Sequence, residues 1–177
     1  MDRPVFCVCT HGKHDVCCAE RGRPVAAALA AAHPEETWEV SHIGGDRFAG
    51  NALVLPHGLY YGRLDPVSAL TVVGSHLAGQ VDPDHLRGRS GLPMPVQAAE
   101  IALRTELGET REESVWCEGR RSEGETTVAR FRVGGFASYD VTVRSTRGPG
   151  TAQLTCRAVR EGPIPRHELV SITRVAG

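Results

Sequence analysis

Cys9 and Cys18 close the loop Cys9-Thr-His-Gly-Lys-His-Asp-Val-Cys-Cys18, and His42 and Asp46 follow in Trp38-Glu-Val-Ser-His42-Ile-Gly-Gly-Asp46-Arg-Phe. Two thiols and a His-x-x-x-Asp pair thus come from two separate turns, the layout of a site whose metal donors are split along the chain. The cysteines crowd at Cys7, Cys9, Cys17 and Cys18, and the start of the chain lacks the basic-then-apolar layout of a signal peptide. Metal or redox chemistry is the better expectation than a disulfide framework.

Cys9-x8-Cys18 with Ser41-His42-Ile-Gly44-Gly45 resembles the signature of the sucrase/ferredoxin-like family, a branch of the thioredoxin-like ferredoxins. The likeness runs from about Val5 to about Gly91 and takes in Phe48 to Ala52, Leu55-Pro-His-Gly-Leu-Tyr-Tyr-Gly62 and Arg87-Gly-Arg89. It implies a thioredoxin-like domain carrying a two-iron, two-sulfide (2Fe-2S) cluster. The protein would then be an electron carrier served by a reductase and an acceptor protein; the start without a signal-peptide layout makes the cytoplasm its expected location. The implied metal ligands are Cys9, Cys18 and His42, with Asp46 standing where relatives with a His-x-Gly-Gly-His motif have their second histidine. A carboxylate there would restore negative charge and lower the potential relative to a two-histidine site. Asp46 serves equally well as an ion-pair partner of Arg47 or as a turn cap, and then His11, His14, Cys17 or solvent fills the fourth position. Gly44 and Gly45 are the expected cofactor-binding residues, because a loop without side chains can wrap a cluster and aim N–H groups at its sulfurs.

Two other functions compete with this one. A thiol-redox enzyme would use Cys17 or Cys18, but the chain has no Cys-x-x-Cys. A structural zinc protein on the same fold would use the Cys2HisAsp donor set. No pair of carboxylates supports glycoside chemistry, and no nucleophile, base and orienting group stand out together.

The chain has 177 residues, 41% of them hydrophobic, which is enough for a core. Twenty basic and twenty-one acidic residues leave a formal charge of -1, so no global field recruits nucleic acid or an anionic membrane. No apolar run approaches the ~18 residues of a membrane span.

Elements must bring the donors together. Val5 to Val8 reads as a buried strand delivering Cys9 at its end, and Gly22 and Pro24 open a helix with Val25, Ala28, Leu29 and Ala32 on one face, stopped by His33-Pro34. Thr37 to Ser41 is a second strand, parallel to the first by the crossover rule, so their carboxyl ends lie side by side. Asn51–Leu55 and Leu59–Gly62 form a hairpin about Pro56-His-Gly58. Asp65-Pro66 starts a helix running to Leu77, with Val67, Leu70, Val73 or Gly74, and Leu77 inward.

Val81 to Pro95 is rich in Pro, Gly and charge and reads as the boundary between a ferredoxin-like domain (1–91) and a helix plus antiparallel β region (92–177). Pro95 opens a helix bearing Val96, Ala99, Leu103 and Leu107, ended by Gly108. Ser114 to about Arg174 is an antiparallel meander with a turn at Ser145 to Gly150, beyond which Leu154, Cys156 and Ala158 resume the alternation. Three roles are open to it: covering the first domain, docking a redox partner, or pairing two copies through an exposed edge. Cys7, Cys117 and Cys156 read as small core hydrophobes, Arg87-Gly-Arg89 as a solvated basic turn, and Trp38, Trp116, Tyr60 and Tyr61 as core or edge aromatics.

Overall fold

The computed structural model describes residues 3–13, 16–154 and 159–175 and shows a mixed α/β fold with two sheets. The first half contains β1 (Val5–Cys9), α1 (Val16–Ala32), β2 (Thr37–Val40), a 3-10 turn (Asp46–Phe48), β3 (Ala52–Leu55), β4 (Leu59–Tyr61), α2 (Pro66–Leu77) and β5 (Leu86–Arg89). Then come α3 (Met94–Leu107), a 3-10 turn (Glu112–Ser114), β6 (Val115–Glu123), β7 (Thr126–Val133), β8 (Ala137–Ala152) and β9 (Gly162–Val175). The first sheet has the order β2-β1-β3-β4-β5 and the second β6-β7-β8-β9. Only β1 and β2 run parallel, joined by α1 as a crossover requires; the other pairs are antiparallel.

Alternation dictates the core. Phe6 and Val8 of β1 meet Val25 and Leu29 of α1, Val54 of β3, Leu59 and Tyr61 of β4, and Val72 and Val73 of α2. A second cluster joins Val96, Ala99 and Leu103 of α3 to Val115, Ala129, Phe131, Val141 and Val143 of the second sheet. Ile101, on another face of α3, packs against the first cluster, so this helix serves both sheets.

Several expectations need correction. Helix α1 begins at Val16, earlier than Gly22-Pro24, and carries Pro24 within it on an exposed face. Its inward stripe is Cys18, Ala19, Gly22, Val25, Ala26 and Leu29, so Ala32 lies outside. Helix α2 has the expected bounds and a capping box between Asp65 and Ser68, and Val73 is buried as expected, but the buried stripe is rotated: Ala69, Val72 and His76 join Val73 inside, while Val67, Leu70 and Leu77 are exposed. Two apolar stripes at helical spacing competed, and the one containing histidine won.

The Val81–Pro95 stretch is not merely a linker, because β5 within it completes the first sheet. Arg87-Gly88-Arg89 is therefore strand rather than turn. β8 runs through Ser145–Gly150 to Ala152, held by its long partner β9. Cys7 is half-buried rather than core, paired with Trp38 on the edge strand β2. Trp38 and Trp116 are edge aromatics, Tyr61 is core, and Cys156 lies outside the described residues.

One buried ion pair ties the halves together. Glu100 and Arg104, one turn apart on α3, meet at 3.0 Å with both side chains 1% exposed, and Arg89 of β5 approaches the same carboxylate at 3.4 Å. The rest of the Arg104 fork donates to the backbone carbonyls of Glu109, Arg111 and Glu112. Replacing Arg104 by Leu would leave the buried Glu100 carboxylate short of its closest partner, so urea unfolding should show a loss of about 3–5 kcal/mol, partly relieved when Glu100 is also made Leu.

A close approach constrains the packing of α1 on β1: a Cβ on Gly22 would lie 1.9 Å from the Cys9 carbonyl oxygen. Gly22→Ala should cost about 1–3 kcal/mol by the same assay, since backbone must move to admit the methyl; an unaltered midpoint would contradict this packing.

Candidate functional site

Two groups of chemistry-bearing side chains stand out, and they differ in kind: one lies within the first half, and the other joins it to the segment entering the second sheet. The first gathers around Asp46. β1 delivers Cys9, whose thiol donates to the Ser41 carbonyl at 3.8 Å, as the register Cys9 to Val40 brings the end of β2 alongside. Helix α1 delivers Cys18, buried, and its thiol reaches Asp46 Oδ1 at 3.4 Å. The Cys17 thiol reaches the Asp46 backbone carbonyl at 3.7 Å, and His42 Nδ1 lies 3.8 Å from Asp46 Oδ1. Burial first, then the neighbouring Cys9 and Asp46, push the Cys18 thiol far above the usual range.

The Gly44-Gly45 loop adopts φ of 79° and 73°, conformations open to glycine. Its carbonyls, rather than its N–H groups, are what the fold fixes. Asn51 Nδ2 donates to Gly44 O at 3.2 Å and to Gly45 O at 2.9 Å, and the Tyr60 hydroxyl also donates to Gly44 O.

The second group was not anticipated. His57 stands in the β3–β4 turn, His76 on the inward face of α2, and Glu112 in the 3-10 turn leading into the second sheet. His57 Nδ1 lies 2.6 Å from Glu112 Oε1, and His76 Nδ1 lies 3.3 Å from Glu112 Oε2. The side chains of His76 and Glu112 are each 5% exposed, and that of His57 is 38% exposed. Among the described residues these three form the one group whose potential metal-ligating atoms all lie within 4.8 Å of one another.

Their contacts are short but are not hydrogen bonds. His76 Nδ1 and Glu112 Oε1 are both buried, and neither has a hydrogen-bond partner. Burial, then the charge of His57, lowers the His76 pKa, while burial raises that of Glu112. Both shifts oppose a plain ion pair between them. The backbone around the group is firmly held: Arg89 donates to the carbonyls of His57 (3.3 Å) and Glu112 (2.9 Å), and Arg104 donates to Glu112 O (3.1 Å).

This overturns the expected 2Fe-2S cluster and the electron-carrier role built on it. The tight donor group is His57, His76 and Glu112 rather than Cys9, Cys18, His42 and Asp46. Cys18 and Asp46, two of the expected ligands, touch each other directly, the thiol donating to the carboxylate at 3.4 Å. The sequence did carry a signal for the second group. His76 falls in step with Ala69, Val72 and Val73, and a histidine on an apolar stripe requires a partner.

The contact between Cys18 and Asp46 is testable. Replacing Asp46 by Asn removes a negative charge that helps hold the Cys18 thiol protonated, so alkylation of Cys18 at pH 8, followed by peptide mass spectrometry, should accelerate several-fold. An unchanged rate would place the carboxylate elsewhere.

Comparison with curated proteins and with solved structures finds no match. A family model does match, and it covers the part of the chain that holds β1 to β5 almost to its end: residues 1–88 match the family described as Sucrase/ferredoxin-like.

Proposed function

We propose that the protein is a metal-binding protein whose His57, His76 and Glu112 hold one zinc ion, and that the ion clips the β3–β4 turn and α2 to the segment entering the second sheet. The observation that carries this is the convergence of two histidines on one buried carboxylate, His57 Nδ1 at 2.6 Å from Glu112 Oε1 and His76 Nδ1 at 3.3 Å from Glu112 Oε2, while His76 Nδ1 and Glu112 Oε1 are buried without a hydrogen-bond partner. Donor chemistry fits. Neutral imidazole and carboxylate are zinc ligands, and burial keeps His76 in the neutral form. When bound, the ion would neutralise the buried Glu112 and fix three elements at one point.

The outer shell supports the same reading, because Arg89 and Arg104 orient the backbone of two of the three donor residues. The strand order β2-β1-β3-β4, with β3 opposed to its neighbours, supports a thioredoxin-like first half as the scaffold. Thiol-redox catalysis is less favoured, since an attacking cysteine needs a lowered pKa and Cys18 is driven the other way.

Chelator-stripped full-length protein titrated with zinc chloride should bind one equivalent at this site. At a free concentration near 100 Kd the ion should raise the Tm by roughly 5–11 °C. His57→Ala, at an exposed position that leaves the fold intact, should lose more than the roughly 10–100-fold in affinity typical of a missing supporting group; Glu112→Gln should do the same. A Cys9→Ser/Cys18→Ser double variant should bind as the parent does. Binding that survives both site variants and vanishes with the cysteines would defeat the proposal.

A further inference from the structure

Three arginines crowd one aromatic ring. The guanidinium carbons of Arg47, Arg63 and Arg87 lie 4.6, 5.2 and 3.5 Å from the centre of the Phe48 ring. The ring attracts each cation, but the cations repel one another. Other arginines have carboxylate partners, among them Arg89, Arg104, Arg111 and Arg130; the described ion pairs include none for these three.

Arg63 adds a second observation. It is the one non-glycine residue described with positive φ (62°), and its N–H donates to the Phe48 carbonyl at 2.8 Å. Glycine would take that conformation without strain, so the strain is tolerated where a guanidinium is set against the ring.

Arg47, Phe48 and Arg87 line an open cleft of ≈ 340 Å³, together with Tyr60, Ile101 and His167. His167 comes from β9 of the second sheet, and Ser145 holds its Nδ1 at 2.9 Å. Its Nε2 is buried and has no hydrogen-bond partner. Cationic forks, an unpartnered imidazole nitrogen and apolar walls thus share one concavity. Guanidinium forks match the oxygens of phosphate, and the volume suits a small organic molecule. Burial, followed by repulsion from Arg63 and Arg47, lowers the Arg87 pKa, a penalty that a bound anion would relieve.

We infer that this cleft binds a small organic phosphate monoester, its phosphate on Arg47 and Arg87 and its apolar body against Tyr60 and Ile101. The site is separate from the proposed zinc group.

Calorimetric titration of the full chain in low-salt chloride buffer tests this with phenyl phosphate, inorganic phosphate and an oligoglutamate peptide as probes. Phenyl phosphate should bind at one site and more tightly than inorganic phosphate. Arg47→Gln, at an exposed position, should weaken it at least about tenfold, as loss of a charged hydrogen bond does, and Arg87→Gln should do likewise. Arg130→Gln, an exposed arginine of β7 that pairs with Asp140 outside the cleft, should leave it unchanged. Failure of phenyl phosphate to bind saturably, binding indifferent to both Arg47 and Arg87 variants, or binding weakened equally by the Arg130 variant would each overturn the assignment. Preference for the acidic peptide over phenyl phosphate would do so too, marking the patch as a protein-docking surface.

Discussion

The buried carboxylate of Glu100 is the constraint on which the assembly depends. A charge removed from water must be met by opposite charge, and Arg104 and Arg89 supply it from the same helix and from the last strand of the first sheet. Both guanidiniums have donors to spare, and these fall on the carbonyls of residues 109, 111 and 112 and of His57. One polar network thus sets where the chain leaves α3, how it enters β6 and where the β3–β4 turn sits. Burial of Val96, Ala99 and Leu103 beside it supplies the apolar contribution.

The placement of the proposed zinc site follows from that network. Glu112 is driven inward because its backbone is grasped by two arginines, and once there it needs partners for its own oxygens. His76 reaches it from α2 and His57 from the turn, but neither completes a hydrogen bond with the buried atoms left over. A cation at the convergence would resolve these deficits together. The arrangement is local in space and dispersed in sequence, since residues 57, 76 and 112 belong to three different elements.

That dispersion explains what sequence could and could not reveal. The strand–helix–strand opening was legible because an apolar run, a proline after the helix and a parallel crossover leave few alternatives; the meander was legible because period-2 alternation is strong from Val128 to Val143. The choice of face on α2 was not, because Val73 fits either stripe, with Val67, Leu70 and Leu77 to one side of it and Ala69 and Val72 to the other. Choosing the former turned His76 outward and hid the one donor whose burial would have pointed to Glu112. The reverse happened at Cys9, Cys18, His42 and Asp46, where the two turns do approach each other, yet by contacts among the side chains themselves. Strand β5 was missed because Arg-Gly-Arg has little β propensity; its place in the sheet comes from pairing with β4.

The central claim is that a metal sits on nitrogen and oxygen, away from the cysteines. X-ray absorption at the zinc edge of the loaded full-length protein reads this directly. The account predicts a first shell of light atoms with the scattering pattern of two imidazoles and no sulfur. A zinc–sulfur distance of about 2.3 Å would contradict it and return the metal to the thiols.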